Sequence, residues 1–325
     1  MAFIVNTAQY LPANEISNDE LTQFPPKYRQ LIEEKAGIKK RRHVTDECTS
    51  DIGAMAVKQL LEKTGVNPLE IDVLICATSS PDRIQPATAT RIQDICGLKR
   101  AYAFDLNSVC SGGIYGLKIA SSLIKDGAKN VIVVASEVYS KLLNPKDIAT
   151  FPYFGDGAAA VLLSDHGIYE LNDILLYSDG SGCDVIQVPA GGSMLPASAV
   201  KKERDYYFSM EGQRVYHFAC EKGSELIEIL AKRNEVVADR IITHQANLNI
   251  IKEISRRTNI PEERFFINVE KYANTAGASV LIALNEYLES EEAKNEDHVF
   301  LAAFGGGLSW GGCYLKKEGV VTDVK

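Results

Sequence analysis

Three positions in this 325-residue sequence put reactive or hydrogen-bonding side chains where small residues keep the backbone open. Cys110 stands in Asn107-Ser-Val-Cys-Ser-Gly-Gly113, between a predicted strand at 101–105 and a predicted helix with Ile114, Leu117, Ala120 and Leu123 on one face. A thiol at a helix N-terminus meets the positive end of the macrodipole and free backbone N–H groups, which favour thiolate. The glycines after it let a substrate approach the main chain closely. His244 ends Ile241-Ile-Thr and opens His-Gln-Ala-Asn247, the strand-to-helix position where α/β folds meet their ligands. Asn274, in Tyr272-Ala-Asn-Thr-Ala-Gly277, likewise precedes small residues that open a helix. Gly305-Gly-Gly307 follows the apolar run 299–303 and can present backbone N–H groups to an oxyanion. Without a following Gly-Lys-Ser/Thr it is not a phosphate-cradling loop. Taken singly, each has a plainer reading: a packing cysteine, a loop histidine, an asparagine helix cap, a turn. Gly155-Asp-Gly157 reads as a tight turn, and the other six cysteines (48, 76, 96, 183, 220, 313) as packing residues.

The elements that must position these residues are those of an α/β layered fold. Asp72–Ala77, 101–105 and 131–135 read as buried strands. After Thr49-Ser50, a candidate N-cap, Ile52, Met55, Ala56 and Leu60 recur at helical spacing until Gly65. A weak internal repeat adds more. Asp72–Ala77 resembles Asp239–His244. Strand, loop, Cys110 and helix recur as Phe265–Val269, loop, Asn274 and the helix through Val280, Leu284 and Leu288. Asn130–Ala135 matches His298–Ala303. The offsets (72 to 239, 110 to 274, 130 to 298) are 167, 164 and 168 residues, nearly constant. The reading is two similar halves, 1–167 and 168–325, packed as one unit. One half supplies Cys110 and the other His244 and Asn274, so a shared site falls between them.

Composition narrows the function classes. Apolar residues at 46% and charged residues at 24% belong to a globular chain with a sizeable core, not to a disordered or fibrous one. The net charge of −8 has the wrong sign for a general nucleic-acid binder, so an anionic partner must use a local basic patch. No apolar run reaches the ~18–20 residues that span a bilayer, and the first residues lack the basic and apolar regions of a secretory signal. Seven scattered cysteines without a Cys-x-x-Cys pair, and five histidines away from them, give neither a disulfide framework nor a metal site. A reduced, cytoplasmic protein is the expectation.

Together the motifs resemble β-ketoacyl-ACP synthase III, a thiolase-fold condensing enzyme family. The resemblance rests on Cys110 in its small-residue elbow, His244-Gln-Ala-Asn247, Asn274-Thr-Ala-Gly277 and Phe304-Gly-Gly-Gly-Leu-Ser-Trp-Gly311. Gly37-Ile-Lys and Phe154-Gly-Asp-Gly-Ala158 extend it over nearly the whole chain. It implies a thiolase-like five-layered αβαβα fold, a homodimer, and no metal or redox cofactor. It implies that Cys110 takes an acyl group from a CoA or carrier-protein thioester, the Cys110 and Gly306 N–H groups forming the oxyanion hole. His244 and Asn274 would then support decarboxylative condensation with a malonyl thioester carried by acyl carrier protein, in fatty-acid or polyketide-type synthesis.

The sequence departs from that family in its donor site. The tryptophan and arginine that clamp the CoA adenine correspond to Leu31 and Ile148, and a pocket phenylalanine reaching across the dimer corresponds to Gln85. The only tryptophan is Trp310. The resemblance therefore implies a donor other than acetyl-CoA. Lys252, Arg256 and Arg257 form a candidate carrier-protein patch by helical spacing, weakened by Asn249 in place of a common arginine. Lys39-Lys-Arg-Arg42 is a candidate contact for the phosphates of CoA or pantetheine. Two other readings stand beside condensation: acyl transfer to oxygen, nitrogen or a carrier thiol, and an inactive partner subunit, which is expected to have lost one of Cys110, His244 and Asn274. Hydroxymethylglutaryl-CoA synthase needs a glutamate near Thr78-Ser79-Ser80, where the sequence shows no acid. Thiolases need a second cysteine in the last glycine-rich loop, and Cys313 lies six residues past Gly307.

Overall fold

Apolar runs without polar alternation, such as Val73–Ala77, form strands buried on both faces, and every residue of that run is buried. The computed structural model describes residues 1–318. Its first half runs β1 (Phe3–Tyr10), β2 (Glu15–Ser17), α1 (Pro26–Ala36), β3 (Lys40–Arg42), α2 (Thr49–Thr64), β4 (Val73–Ala77), α3 (Thr88–Ile95), β5 (Tyr102–Leu106), α4 (Gly112–Lys125), β6 (Asn130–Glu137) and β7 (Gly157–Ser164). The second runs β8 (Tyr169–Ser178), β9 (Ile186–Gln187), β10 (Ser209–Met210), α5 (Gly212–Asn234), β11 (Arg240–Thr243), α6 (Leu248–Thr258), α7 (Val269–Tyr272), α8 (Ser279–Leu288), β12 (His298–Gly305) and β13 (Ser309–Lys317).

The strands order as β11-β12-β13-β8-β1-β7-β6-β4-β5. From either end toward the centre the pairings match. β4 and β6 are parallel, as are β11 and β12; β6 and β7 are antiparallel, as are β12 and β13; β7 and β1 are antiparallel, as are β13 and β8. The halves meet where β1 and β8 pair antiparallel, Phe3 opposite Glu170 and Ile4 opposite Tyr169. α4 and α8 lie between the half-sheets: Leu117 and Leu281 share a cluster with Val133 of one and Leu301 of the other. α2 and α3 cover the outer face of the first half-sheet, and α5 and α6 that of the second. The result is five layers in the order helix, sheet, helix, sheet, helix. Both central helices open toward the C-terminal ends of parallel strands, which places Cys110 near the second half's loops. Truncating a central residue such as Leu281, wholly buried, costs about 2–5 kcal/mol.

Several sequence expectations need correction. Phe265–Val269 makes only a single bridge, to Ile241, rather than a strand. The Gln245 side chain takes the ladder's place: its amide donates to Phe266 O (3.1 Å) and Thr243 O (2.9 Å), and its oxygen accepts from the N–H groups of Asn268 (3.0 Å) and Val269 (3.2 Å). The N-cap of α2 is Cys48, whose N–H donates to Asp51 (3.0 Å), not Thr49 or Ser50. Gly155-Asp-Gly157 is more than a turn. Asp156 is wholly buried and accepts from Val44 N, Ser140 N and Ser140 Oγ, tying two loops together as β7 begins. Cys183 is exposed and Cys48 half-buried beside Arg91, so neither is a core packing residue. Among the described residues, no helix is long and apolar enough to cross a membrane.

Candidate active site

Cys110 sits in a one-turn elbow (Val109–Ser111) ahead of α4. Val109 holds φ at +47°, a strained setting for a β-branched residue that turns the chain sharply into the helix. Ser111 ties the elbow down through Ser108 O (2.8 Å) and the Ser309 hydroxyl (2.8 Å). Across the central layer, Gly305 closes β12 directly against Cys110: a Cβ there would lie 2.7 Å from the Cys110 nitrogen. The glycine leaves the space before that N–H open.

His244 continues the strand pairing through its N–H to Ala302 O (2.7 Å). Its Nδ1 faces the hydroxyl of Ser279, the first residue of α8, at 2.5 Å. That contact engages Nδ1, and the hydroxyl oxygen also accepts the Gln245 N–H (3.2 Å); Nε2 is the ring nitrogen left to act, and it donates in the tautomer in which Ser279 gives its hydrogen to Nδ1. Burial drops the His244 pKa to about 3, so the ring is neutral. Asn274 is held by its N–H to Tyr153 O (3.0 Å), and its Oδ1 accepts from Ala276 N (2.8 Å). Its oxygen is thereby engaged and its NH₂ group is the part left to act.

One cavity of about 820 Å³ joins Cys110, His244, Asn274 and Gly305. Its apolar lining includes Phe154, Ile186, Phe208 and Met210. Its exposed end carries Lys35, Asn249, Lys252 and Arg256. Phe208 packs edge-on against Phe154 (5.0 Å between centroids) and Tyr139 (5.5 Å), which makes that wall rigid.

The resting thiol differs from the expectation. Burial pushes the Cys110 thiol well above its usual range, the Glu137 carboxyl adding to the rise, so the helix terminus does not prevail and the group is a neutral thiol before substrate arrives. Gly306 is buried against Val109 and Ile186, its carbonyl accepting from Ser309 Oγ (3.0 Å). Leu31 and Ile148 are half-buried beside the cavity's exposed end rather than in its lining: Leu31 is one helical turn before Lys35, and Ile148 adjoins Ala149. Gln85 is exposed and outside the lining of this cavity. The 39–42 run is not a free anion site. Lys39 pairs with Glu270 (2.9 Å), Lys40 and Arg42 pair with Glu15 (3.0 and 2.8 Å), and Arg41 is wholly buried on Pro152 O and Asn18. In the carrier patch, Arg256 and Arg257 both grip Glu253 at 2.8 Å, so part of the positive charge is spent within α6.

Sequence reasoning missed Glu137. It is wholly buried at the end of β6, where a run of apolar residues hid it. It also supplies the acid that the sequence did not show near Thr78-Ser79-Ser80. Its carboxylate accepts from Ser79 N and Oγ (3.1 and 2.9 Å), Ser80 Oγ (2.5 Å) and Gly277 N (3.3 Å), and it lines no part of the cavity.

A duplicated α/β half-sheet on each side of a shared helical layer, with the chemistry gathered where the halves meet, defines a thiolase-fold acyltransferase. Family models agree. The model for 3-oxoacyl-[acyl-carrier-protein] synthase III matches residues 104–187, its C-terminal counterpart residues 233–317, and the thiolase N-terminal domain residues 35–141. The chain is 38% identical over 323 residues to β-ketoacyl-[acyl-carrier-protein] synthase III of Clostridium perfringens, covering 97% of this chain and 99% of that one. Against the same enzyme of Phocaeicola vulgatus the identity is 36% over 326 residues, covering 97% and 96%. The solved 3-oxoacyl-[acyl-carrier-protein] synthase III of Aquifex aeolicus superposes with a TM-score of 0.88 at 32% identity, covering 97% of this chain and all (100%) of that one. The priming β-ketosynthase of the R1128 polyketide pathway gives 0.86 at 26% identity, covering 98% and 96%. The chain belongs to the β-ketoacyl-ACP synthase III family.

Proposed function

We propose that this chain loads an acyl group onto Cys110 from a CoA or carrier-protein thioester and condenses it with a malonyl thioester carried by acyl carrier protein. The observation that carries this reading is one cavity holding a thiol together with two neutral hydrogen-bond donors, His244 and Asn274. In loading, the Cys110 sulfur bonds to the thioester carbon, the donor's carbon–sulfur bond breaks, and the thiol proton ends on the departing thiol. The N–H groups of Cys110 and Gly306 serve the tetrahedral oxyanion. In condensation, the malonyl carboxylate leaves as carbon dioxide while His244 Nε2–H and the Asn274 NH₂ hold the enolate oxygen. The carbanion attacks the acyl carbon, and the Cys110 sulfur leaves as thiolate and takes a proton from solvent. A neutral histidine suits this work because it donates without giving its proton away. The thioesters arrive already activated, so the reading calls for no metal or redox cofactor.

The apolar Leu31 and Ile148 favour a donor that is not held by its adenine, hence a carrier-bound acyl group or a CoA ester other than acetyl-CoA. Lys252 and Arg256 at the cavity's exposed end, with Arg257 exposed beside them on α6, suit an acidic carrier. Gln85 is exposed and outside this cavity, so in this reading it serves the acyl pocket of a second copy in a homodimer, and we assign the chain to the cytoplasm. The two halves, 1–167 and 168–325, act as one catalytic unit in this reading.

Intact-protein mass after incubation with a panel of acyl-CoA and acyl-carrier thioesters, followed by malonyl-ACP, tests it. The expected result is an acyl adduct lost in Cys110→Ala and discharged with carbon dioxide release. Discharge without carbon dioxide would replace condensation by acyl transfer to oxygen, nitrogen or thiol. No adduct with any donor would favour an inactive partner subunit.

A further inference from the structure

The pseudo-twofold brings two elbows into correspondence. Residue for residue, Val109 and Cys110 correspond, 167 residues on, to Ala276 and Gly277, so the structural counterpart of Cys110 is Gly277 and not Asn274, as the 164-residue sequence offset had it. Both pairs form a single tight turn ahead of a central helix, and both begin with a non-glycine residue at positive φ, +47° at Val109 and +45° at Ala276. The strand ends that face them also correspond: Glu137 closes β6, and Gly305, 168 residues on, closes β12. The contacts cross between halves. Gly305 lies against the Cys110 nitrogen, whereas Glu137 accepts the Gly277 N–H at 3.3 Å. A Cβ on Gly277 would sit 2.9 Å from the Glu137 oxygen and 2.8 Å from the Val109 carbonyl oxygen, so the second elbow is closed tightly over both.

At the first elbow, then, a glycine leaves room for a substrate oxygen. At the second, a carboxylate of the chain itself stands in the matching place. We infer that Glu137 is a positioning residue that fills the second half's counterpart of the oxyanion site and so fixes the turn from which Asn274 acts. The linkage is short. The Asn274 side chain accepts from Ala276 N (2.8 Å), the next N–H is that of Gly277, and Glu137 holds it. Glu137 is in turn held by Thr78 Oγ1, Ser79 N and Oγ and Ser80 Oγ, and Tyr139 OH braces Ser79 Oγ at 2.9 Å. With five donors around one buried carboxyl, the acceptor for Gly277 has little freedom to move. Ser279, which orients His244, lies two residues further along the same turn, so one anchor serves both donors of the second half.

The inference rests on the proposed condensation for its kinetic part only. Three proteins are compared: wild type, Glu137→Ala and Glu137→Gln, the last keeping an oxygen for Gly277 while its NH₂ meets the Ser80 and Thr78 hydroxyls. Amide hydrogen exchange is read on peptides covering 273–281 and 107–113, and the rates of Cys110 acylation and of malonyl-ACP decarboxylation are measured separately. Glu137→Ala is expected to speed exchange in 273–281 at least tenfold while leaving 107–113 within twofold. It should slow decarboxylation at least tenfold and acylation by less than threefold. Glu137→Gln should recover most of both losses. Unchanged exchange in 273–281, or equal loss of acylation and decarboxylation in both variants, would overturn the inference. If wild type acylates but releases no carbon dioxide, the condensation reading fails, and the exchange result still decides the role of Glu137. Should Glu137→Ala fail to fold, Glu137→Asp, whose shorter arm withdraws from Gly277, replaces it with the same expected split.

Discussion

Adding one methyl group at Gly305 tests the oxyanion site with the least chemical change. An alanine Cβ there would lie 2.7 Å from the Cys110 nitrogen, closer than real contacts allow, and a tight 3.0 Å from its Cβ. The atoms it meets include elbow backbone, not the far end of a flexible side chain, so relief must come by shifting Cys110 or β12. Either movement removes a donor from the forming oxyanion, a loss of about 10²–10³ in rate, or roughly 3–4 kcal/mol of barrier. Gly307 in the same loop is the control. Its φ is +65° and a Cβ there meets nothing within 4 Å, so Gly307→Ala should lower stability by about 1 kcal/mol and leave the elbow in place. The assay is the time course of Cys110 acylation by intact mass, using the best donor from the panel, with near-ultraviolet circular dichroism and thermal melting to show that each variant is folded. A folded Gly305→Ala protein that loads within threefold of wild type would refute the reasoning. So would a Gly307→Ala protein that loads as slowly as Gly305→Ala.

Two further outcomes follow from charges. His244 has a folded pKa of about 3 against 6.5 for a free imidazole, so the unfolded chain takes up its proton first as pH falls. Its contribution is complete above pH ~6.5 and lost toward pH ~3, amounting to about 3 kcal/mol by pH ~4.5. Denaturant unfolding across this range should show a shallower acid limb in His244→Gln than in wild type, and parallel limbs would contradict it. Burial raises Glu137 from the ordinary 4.5 to about 7, giving the opposite sign, with stability falling as pH rises between those values, and that slope is common to both proteins. At the cavity mouth, Glu253→Gln releases Arg256 and Arg257 and should lower the KM for malonyl-ACP severalfold at low salt, the gain shrinking as salt is added. An unchanged KM at low salt would remove the carrier patch from these residues.

Much of this arrangement was legible in the sequence, because strand-forming runs and the near-constant repeat offset are properties of single segments. The thiol, imidazole and amide were visible because small residues surround them. What stayed hidden depends on partners distant in sequence. Phe265–Val269 has the apolar pattern of a strand, but the Gln245 side chain takes up its backbone groups, and no local pattern reports that. Glu137 follows an apolar strand and reads as its exposed end until Ser79, Ser80 and Gly277 are folded around it. The basic run at 39–42 reads as a solvated patch, yet Arg41 is buried and its neighbours are paired with acids from as far away as residue 270. The acidity of Cys110 failed for a related reason: a helix terminus is local, whereas the desolvation that outweighs it belongs to the whole central layer.

In the proposed reaction the work divides between the halves, with Cys110 taking the acyl group and His244 and Asn274 acting on the malonyl thioester. The most direct measurement is the ratio of decarboxylation rate to Cys110 acylation rate in His244→Ala and Asn274→Ala, each from one stopped time course. A fall of at least tenfold in that ratio for both variants is the expected result, and a ratio unchanged from wild type would contradict the division.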